Sequence, residues 1–247
     1  MALGGKSSQP DSPRMIKTFV IIPARSGSKG IVDKNIKLLG GKPLLQWTVD
    51  AIAAAELDHA MTVLSTDSAE YANLGRHLGV QTPFLRPAEC AGDGASALQV
   101  VQHALQWFQN VYGYLPELTL WLQPTSPFRP PALIRQALAM LAQQDADAVI
   151  GCKEIQRDLT SLFRLENGYL SALDKQQTTQ TTRQQIQPLL TPNGALYLCK
   201  SAYLLAQGSF YPVKTLPLRM NAVQSLDIDT EEDWVMAEAF IQQGLAA

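Results

Sequence analysis

The stretch Thr18-Phe19-Val20-Ile21-Ile22-Pro23, followed at once by Ala24-Arg25-Ser26-Gly27-Ser28-Lys29-Gly30-Ile31-Val32-Asp33-Lys34-Asn35, decides the fold. Its first part is an uninterrupted apolar and β-branched run. Strands with one wet face alternate, so a run of this kind reads as a strand buried on both faces in a parallel sheet. Its second part is small, glycine-bearing and basic. Between Arg25 and Lys42 lie five of the chain's 20 basic residues (Arg25, Lys29, Lys34, Lys37, Lys42) and one acid, Asp33. A locally cationic loop after a buried strand suits a polyphosphate: Gly27 and Gly30 permit close backbone approach, and the lysines neutralise phosphate charge. The loop lacks the G-x-x-x-x-G-K-[ST] and G-x-G-x-x-G spacings, which argues against an ATPase and a dehydrogenase. A plain basic surface loop is the alternative reading of the same residues.

Outward from this loop, apolar spacing predicts a helix over Leu44 to Ala55 with Pro43 just inside its start. A strand at Met61 to Asp67 follows, then a helix from Ala69 to Leu78 stopped by Gly79, and a third strand at Thr82 to Arg86. A helix at Ser96 to Gln109, a strand at Leu118 to Gln123, a helix at Pro131 to Gln143 and a strand at Ala148 to Cys152 continue the alternation. This βαβα pattern with short connections predicts a three-layer α/β/α sandwich with a mainly parallel, Rossmann-like sheet. Residues 153–187 break it, ending in a tract where six glutamines and four threonines occupy Gln176 to Gln187. They read either as a solvated loop or as an excursion ordered by a partner subunit or ligand. Strands at Gly194 to Lys200 and Lys214 to Leu218, and a helix from Glu231 to Gln242, close a single domain over 15–247. Residues 1–14 carry no apolar period and read as an expression-tag remnant.

Composition narrows the function classes. With 20 basic and 22 acidic residues and no basic stripe, the chain is not expected to bind nucleic acid. No apolar run approaches the roughly 18 residues of a membrane span, so no membrane association is expected. Cys90, Cys152 and Cys199 lie far apart without metal-ligand spacing, which points to a reducing, cytoplasmic setting.

Near the C-terminus, Asp227 and Asp229 flank Ile228, so in an extended segment both carboxylates share a side while Ile228 points inward. Such a pair suits Mg²⁺, although capping of the helix at Glu231 would also account for it. His59, His77 and His103, with no motif partners, read as surface or packing residues. Trp47, Trp107, Trp121 and Trp234 read as core.

Beyond these local readings, Ile22 to Gly30 together with Lys34-Asn35 resembles the signature of the CMP-sugar synthetases, specifically the CMP-N-acylneuraminate cytidylyltransferases and their bacterial nonulosonate relatives. Ser65-Thr66-Asp67, Arg86-Pro87-Ala88-Glu89, Leu122 to Arg129, Pro192-Asn193-Gly194-Ala195 and Asp227-Ile228-Asp229-Thr230 follow in that family's order. The resemblance implies that a nine-carbon α-keto acid sugar attacks the α-phosphate of CTP, giving CMP-sugar and pyrophosphate. It assigns CTP binding to Ala24, Arg25, Ser28, Lys34, Asn35, Arg86 and Ser96, and catalysis to Arg25, Lys29, Lys34, Asp227 and Asp229. Sugar binding falls to Gln123, Thr125, Ser126, Arg183 and Asn193, and Mg²⁺ to Asp227 and Asp229. Residues 153–187 would form a dimerisation arm reaching the active site of a homodimer partner.

The chain also departs from that pattern. Ser26 replaces a common Gly and Val32 a common Pro, changes expected to alter loop stiffness alone. Thr191 stands where an acceptor-side Arg often precedes Pro-Asn-Gly, which leaves the sugar open. Two alternatives remain: a synthetase for the eight-carbon acid Kdo, whose loop typically runs Arg-Leu-x-Ser-Thr-Arg-Leu, and a non-catalytic nucleotide-binding domain on the same fold.

Overall fold

Thr18–Pro23 (β1), buried on both faces, sets the layers of the computed structural model, which describes residues 15–28, 30–92, 94–155, 162–172 and 189–246. After β1 come a short antiparallel pair, Leu38–Leu39 (β2) and Lys42–Pro43 (β3), then Leu44–Ala55 (α1), Ala60–Ser65 (β4) and Ala69–His77 (α2). A 3-10 turn at Ala88–Cys90 leads into Ala97–Tyr112 (α3), Leu118–Trp121 (β5), Pro131–Gln143 (α4) and Ala148–Ile155 (β6). Phe163–Glu166 (β7) and Tyr169–Ala172 (β8) form a separate hairpin. The chain closes with Leu189–Lys200 (β9), Ser201–Gln207 (α5), Thr215–Arg219 (β10) and Glu231–Gln242 (α6).

Val20 and Ile22 of β1 pack with Leu45, Val49 and Ile52 of α1, Tyr71 of α2 and Ile134 of α4 on one face of the sheet. Phe19 and Ile21 pack with Val101, Leu105 and Phe108 of α3 and Leu204 of α5 on the other. All four β1 side chains are removed from water, as a doubly covered parallel strand requires. The sheet runs β10-β6-β9-β5-β1-β4, and β9 alone is antiparallel to its neighbours among these six strands. The three-layer, mainly parallel architecture is therefore present.

This topology fixes where a ligand can sit. From β1 the chain crosses by α1 to β4 on one side and later by α3 to β5 on the other, so β1 lies at the switch point of the sheet. The loops leaving β1 and β5 diverge there, opening a crevice beyond the strand ends. Because β9 runs the other way, the start of its pairing region lies at that same end. A third apolar cluster, with Ile31, Leu39, Phe128, Ile228 and Trp234, ties the basic loop, the β5 exit and α6 together beneath the crevice.

Three local expectations change. Thr82 to Arg86 forms no strand: Gln81 bridges Val63, but Pro83 has no N–H to extend the ladder, and pairing returns only where the Arg86 N–H meets the Thr66 carbonyl at 2.7 Å. Within 153–187, β7 and β8 join through Asn167-Gly168, both left-handed (φ 52° and 83°), the backbone of a type I′ hairpin. Strand β9 begins at Leu189 rather than Gly194. Its register against β6 slips between Ile150 and Cys152, so Asn193 to Leu196 stand opposite Gly151. Among the described residues no helix is long and apolar enough to cross a membrane.

Candidate active site

The β1 exit is anchored before it bends. The Ala24 N–H donates to the Ser65 carbonyl (3.0 Å), and the Ser26 N–H and Oγ–H donate to the two Asp67 carboxylate oxygens (2.8 and 2.7 Å). Ser26 is thus engaged through its side chain, and its effect goes beyond the loop stiffness expected from sequence. Partial burial opposes ionisation of Asp67, but the Ser26 bonds and the Arg86 charge hold its carboxyl below the usual range. Farther along, Asn35 is buried and donates from Nδ2 to the Arg25 carbonyl (3.2 Å), closing the loop on itself.

Lys34 makes the decisive long-range link. Its side chain is only 9% exposed, and Nζ donates to the Ile228 carbonyl (2.6 Å) and to Asp229 Oδ1 (2.9 Å), across 194 and 195 positions of sequence. Gly30 explains how the two segments come so close: a Cβ there would lie 2.2 Å from the Asp229 carbonyl oxygen. The Gly30→Ala change is accordingly expected to push the loop off residues 228–229 and reduce turnover by about 100-fold, because displacements near 1 Å cost that much. Steady-state assay of the soluble variant checks this, and near-parental activity would sink the close-packing argument.

Asp227 and Asp229 differ in environment. The α6 cap is Thr230, in a capping box with Asp233, so neither Asp227 nor Asp229 is spent as the N-cap. Asp229 is exposed and faces Lys34. Asp227 is half-buried, and its Oδ1 is shut off from solvent without a hydrogen-bond partner among the described residues. Desolvation raises its carboxyl above the ordinary range; the neighbouring Thr125 side chain opposes this, and the Asp229 charge reinforces it. An orphaned carboxylate oxygen beside a second carboxylate fits a divalent cation, which would be completed by phosphate and water rather than by further side chains. Among the described residues no cluster of three or more His, Cys, Asp or Glu offers an all-protein metal cage.

The β5 exit and the β9 slip supply the opposite wall. The Ile228 N–H donates to the Thr125 carbonyl (2.8 Å), fixing the Asp227–Asp229 segment beside the 123–126 turn. Gly194 has φ +79°, and a Cβ on it would meet Gln123 Oε1 at 2.8 Å and Asp227 Oδ2 at 3.0 Å. Gln123, Gly194 and Asp227 are therefore packed together. Asn193 is buried and works inward, donating to Ser225 Oγ (2.9 Å) and accepting from the Ala195 N–H (3.1 Å). Ser126 is fully buried, with its Oγ unpartnered. Below it the fully buried Arg129 has no carboxylate among its hydrogen-bond partners in the described residues. It clasps the Ser126 and Ala195 carbonyls and Thr48, and desolvation lowers its pKa to about 9. Sequence reasoning gave Arg129 no role, since a motif position does not reveal burial.

A cavity of about 280 Å³ is lined by Arg25, Ser28, Gly30, Lys34, Thr125 and Asp229. The structure thus gathers Arg25, Ser28, Lys34, Thr125, Asp229 and the adjacent Asp227. Two further sequence-picked residues are engaged within the chain and do not line this cavity. Arg86 is buried and donates to the Ser65 hydroxyl (3.2 Å) and carbonyl (2.6 Å) and to the Cys90 carbonyl (3.4 Å). Ser96 is the exposed N-cap of α3, in a capping box with Gln99. Ala24 is buried, so only its backbone could serve a ligand. Lys29 and Arg183 lie outside the described residues.

The β1 switch point thus holds a crevice with a basic, glycine-bearing loop opposite two carboxylates. The chain belongs to the cytidylyltransferase family, whose model matches residues 19–244. It is 33% identical over 224 residues to the N-acylneuraminate cytidylyltransferase of Streptococcus agalactiae serotype V, a match covering 89% of this chain and 52% of that protein. The chain therefore spans about half the length of that relative. It is also 30% identical over 236 residues to the CMP-N,N'-diacetyllegionaminic acid synthase of Legionella pneumophila, covering 92% of this chain and 97% of that one. Among solved structures, a CMP:2-keto-3-deoxy-manno-octonic acid synthetase complexed with CTP superposes with a TM-score of 0.67 over 93% of this chain and 100% of that one. At 14% identity this is a likeness of fold.

Proposed function

We propose that the chain transfers CMP from CTP to a nine-carbon α-keto acid sugar, a sialic, legionaminic or related nonulosonic acid, releasing pyrophosphate. The observation that carries this reading is the cavity in which Arg25, Lys34, Thr125 and Asp229 meet at the strand ends. In the reaction the anomeric hydroxyl gives up its proton as its oxygen bonds the α-phosphorus, and the bond from that phosphorus to the bridging oxygen of pyrophosphate breaks. Arg25 and Lys34 would hold the triphosphate and stabilise charge on the departing group, while Thr125, Gln123 and Asp227 would border the acceptor side. Positioning and electrostatics supply most of the rate in such displacements. Asp227 and Asp229 are the residues that would hold Mg²⁺, which when bound supplies charge neutralisation at the phosphates.

The quaternary reading rests on the β7–β8 hairpin. Phe163 and Leu165 face the same side as their cross-strand partners Ala172 and Leu170, and Phe163, Leu165 and Leu170 are all exposed in one chain. A lone two-stranded hairpin with a bare apolar face is marginal in water, so a second copy covering it accounts for the sequence. Light scattering is expected to give twice the 27.0 kDa chain mass. A monomer at micromolar concentration would remove the arm from this reading. The three cysteines are unpaired, which supports a reducing, cytoplasmic setting.

The functional test is pyrophosphate release with CTP and Mg²⁺ against N-acetylneuraminic, legionaminic, pseudaminic and deaminated neuraminic acids and Kdo. Turnover on a nine-carbon acid and not on Kdo is expected. Turnover confined to Kdo would reassign the acceptor, and CTP binding without turnover on any acid would favour a non-catalytic role.

A further inference from the structure

We infer that Ser65 to Tyr71, where β4 runs into α2, is the positioning frame of the cationic loop, with Asp67 and Tyr71 as its two working side chains. Its effect on turnover rests on the cytidylyltransferase reading above; its effect on loop order does not.

Three separate contacts tie the loop to this short stretch. The Ser65 carbonyl accepts from the Ala24 N–H, and Asp67 accepts from both the N–H and the hydroxyl of Ser26. Tyr71 Oη donates to Asp33 Oδ1 at 3.1 Å. The loop is thereby held at its entry and again one residue before Lys34. Asp33 has φ +49°, a left-handed conformation that costs a non-glycine residue free energy unless its surroundings enforce it. Tyr71 is 1% exposed, so its ring is fixed in the core and its hydroxyl can enforce that turn.

The same stretch holds Arg86. The Thr66 carbonyl accepts the Arg86 N–H, and Ser65 accepts the Arg86 guanidinium through both its carbonyl and its hydroxyl. Asp67 also offsets like charge: Arg86 feels repulsion from Arg25 and attraction from Asp67. One frame therefore sets the spacing between the loop that carries Arg25 and Lys34 and the irregular segment after α2 that carries Arg86. Asp67 and Tyr71 are not among the residues that line the cavity, and both act on it through the loop, so they are positioning residues. Removing them should cost affinity for CTP more than the chemical step.

The test uses the full chain with Asp67→Ala, Asp67→Asn and Tyr71→Phe. In hydrogen–deuterium exchange without nucleotide, peptides spanning 24–35 are expected to exchange about tenfold faster in Asp67→Ala and Tyr71→Phe, while those over β5 stay unchanged. The KM for CTP should rise about tenfold with kcat within about threefold, and Asp67→Asn, which keeps an acceptor oxygen for Ser26, should recover part of the loss. Unchanged exchange over 24–35 in folded Asp67→Ala and Tyr71→Phe would overturn the frame. Faster exchange with unaltered CTP affinity would overturn its functional role. If the parent turns over no sugar, the function reading fails, and exchange together with CTP calorimetry still decides the frame.

Discussion

Lys34→Met is expected to lower kcat/KM for CTP by about 10²–10³-fold, the usual cost of deleting a donor that meets developing charge in a water-poor site. The side chain is nearly buried, so its ammonium has lost most of its water, and its replacement contacts are the Ile228 carbonyl and Asp229. A cation held in this way is directed at the cavity rather than at bulk solvent, and its field is screened little. Methionine fills similar volume without charge or donor. It leaves the Ile228 carbonyl without that donor, which should also lower stability by about 1–3 kcal/mol. Calorimetric titration with CTP separates the two effects, since a fold defect alone would not remove binding from the folded fraction. Activity within about threefold of the parent would refute the assignment of Lys34 to the triphosphate.

How much of this was legible beforehand depended on whether the signal was local. The doubly buried β1 announces itself because six consecutive residues carry no alternation, and the crevice position follows once the βα units are counted. The Lys34 to Asp229 contact spans 195 positions, so no window in the sequence contains it. From sequence, Gly30 reads as room for close backbone approach to a phosphate. Its stronger reason, a carbonyl 2.2 Å from where a Cβ would stand, exists only after folding. Motif matching picked out Arg86, Ser96 and Asn193, yet it cannot separate a side chain that meets ligand from one that holds the scaffold. In the fold Arg86 bonds Ser65 and Cys90, Ser96 caps α3, and Asn193 bonds Ser225 at the β9 slip. The missed hairpin did have a local signal, Asn167-Gly168 between short runs, but the polar tract after it dominated the reading of the whole segment. The false strand at Thr82 to Arg86 failed for a reason that was visible, a proline where a ladder donor was needed.

Asp227→Asn should separate stability from activity, with opposite signs. In the folded chain burial raises the Asp227 carboxyl pKa above its unfolded value, with the Asp229 charge adding to the effect. A raised folded pKa contributes stability below the unfolded carboxylate range, and that contribution is lost as pH rises through the folded value. At neutral pH the ionised group is therefore a burden on the fold. Asparagine has the same shape and retains a carbonyl oxygen, so without Mg²⁺ the variant should melt higher, by about 2–4 °C if the gain is about 1 kcal/mol in a domain of this size. The difference should vanish as pH falls and the parent carboxyl takes up its proton. Adding Mg²⁺ should raise the parent's melting temperature by mass action and leave the variant's unchanged. Turnover should move the other way, falling by about 10³-fold or more, equivalent to about 4 kcal/mol of transition-state stabilisation. A variant both less stable and still active would make Asp227 a structural acceptor for its Thr125 neighbour. A more stable, inactive variant that ignores Mg²⁺ would mean that the buried, unpartnered oxygen is kept for the cation at the fold's expense.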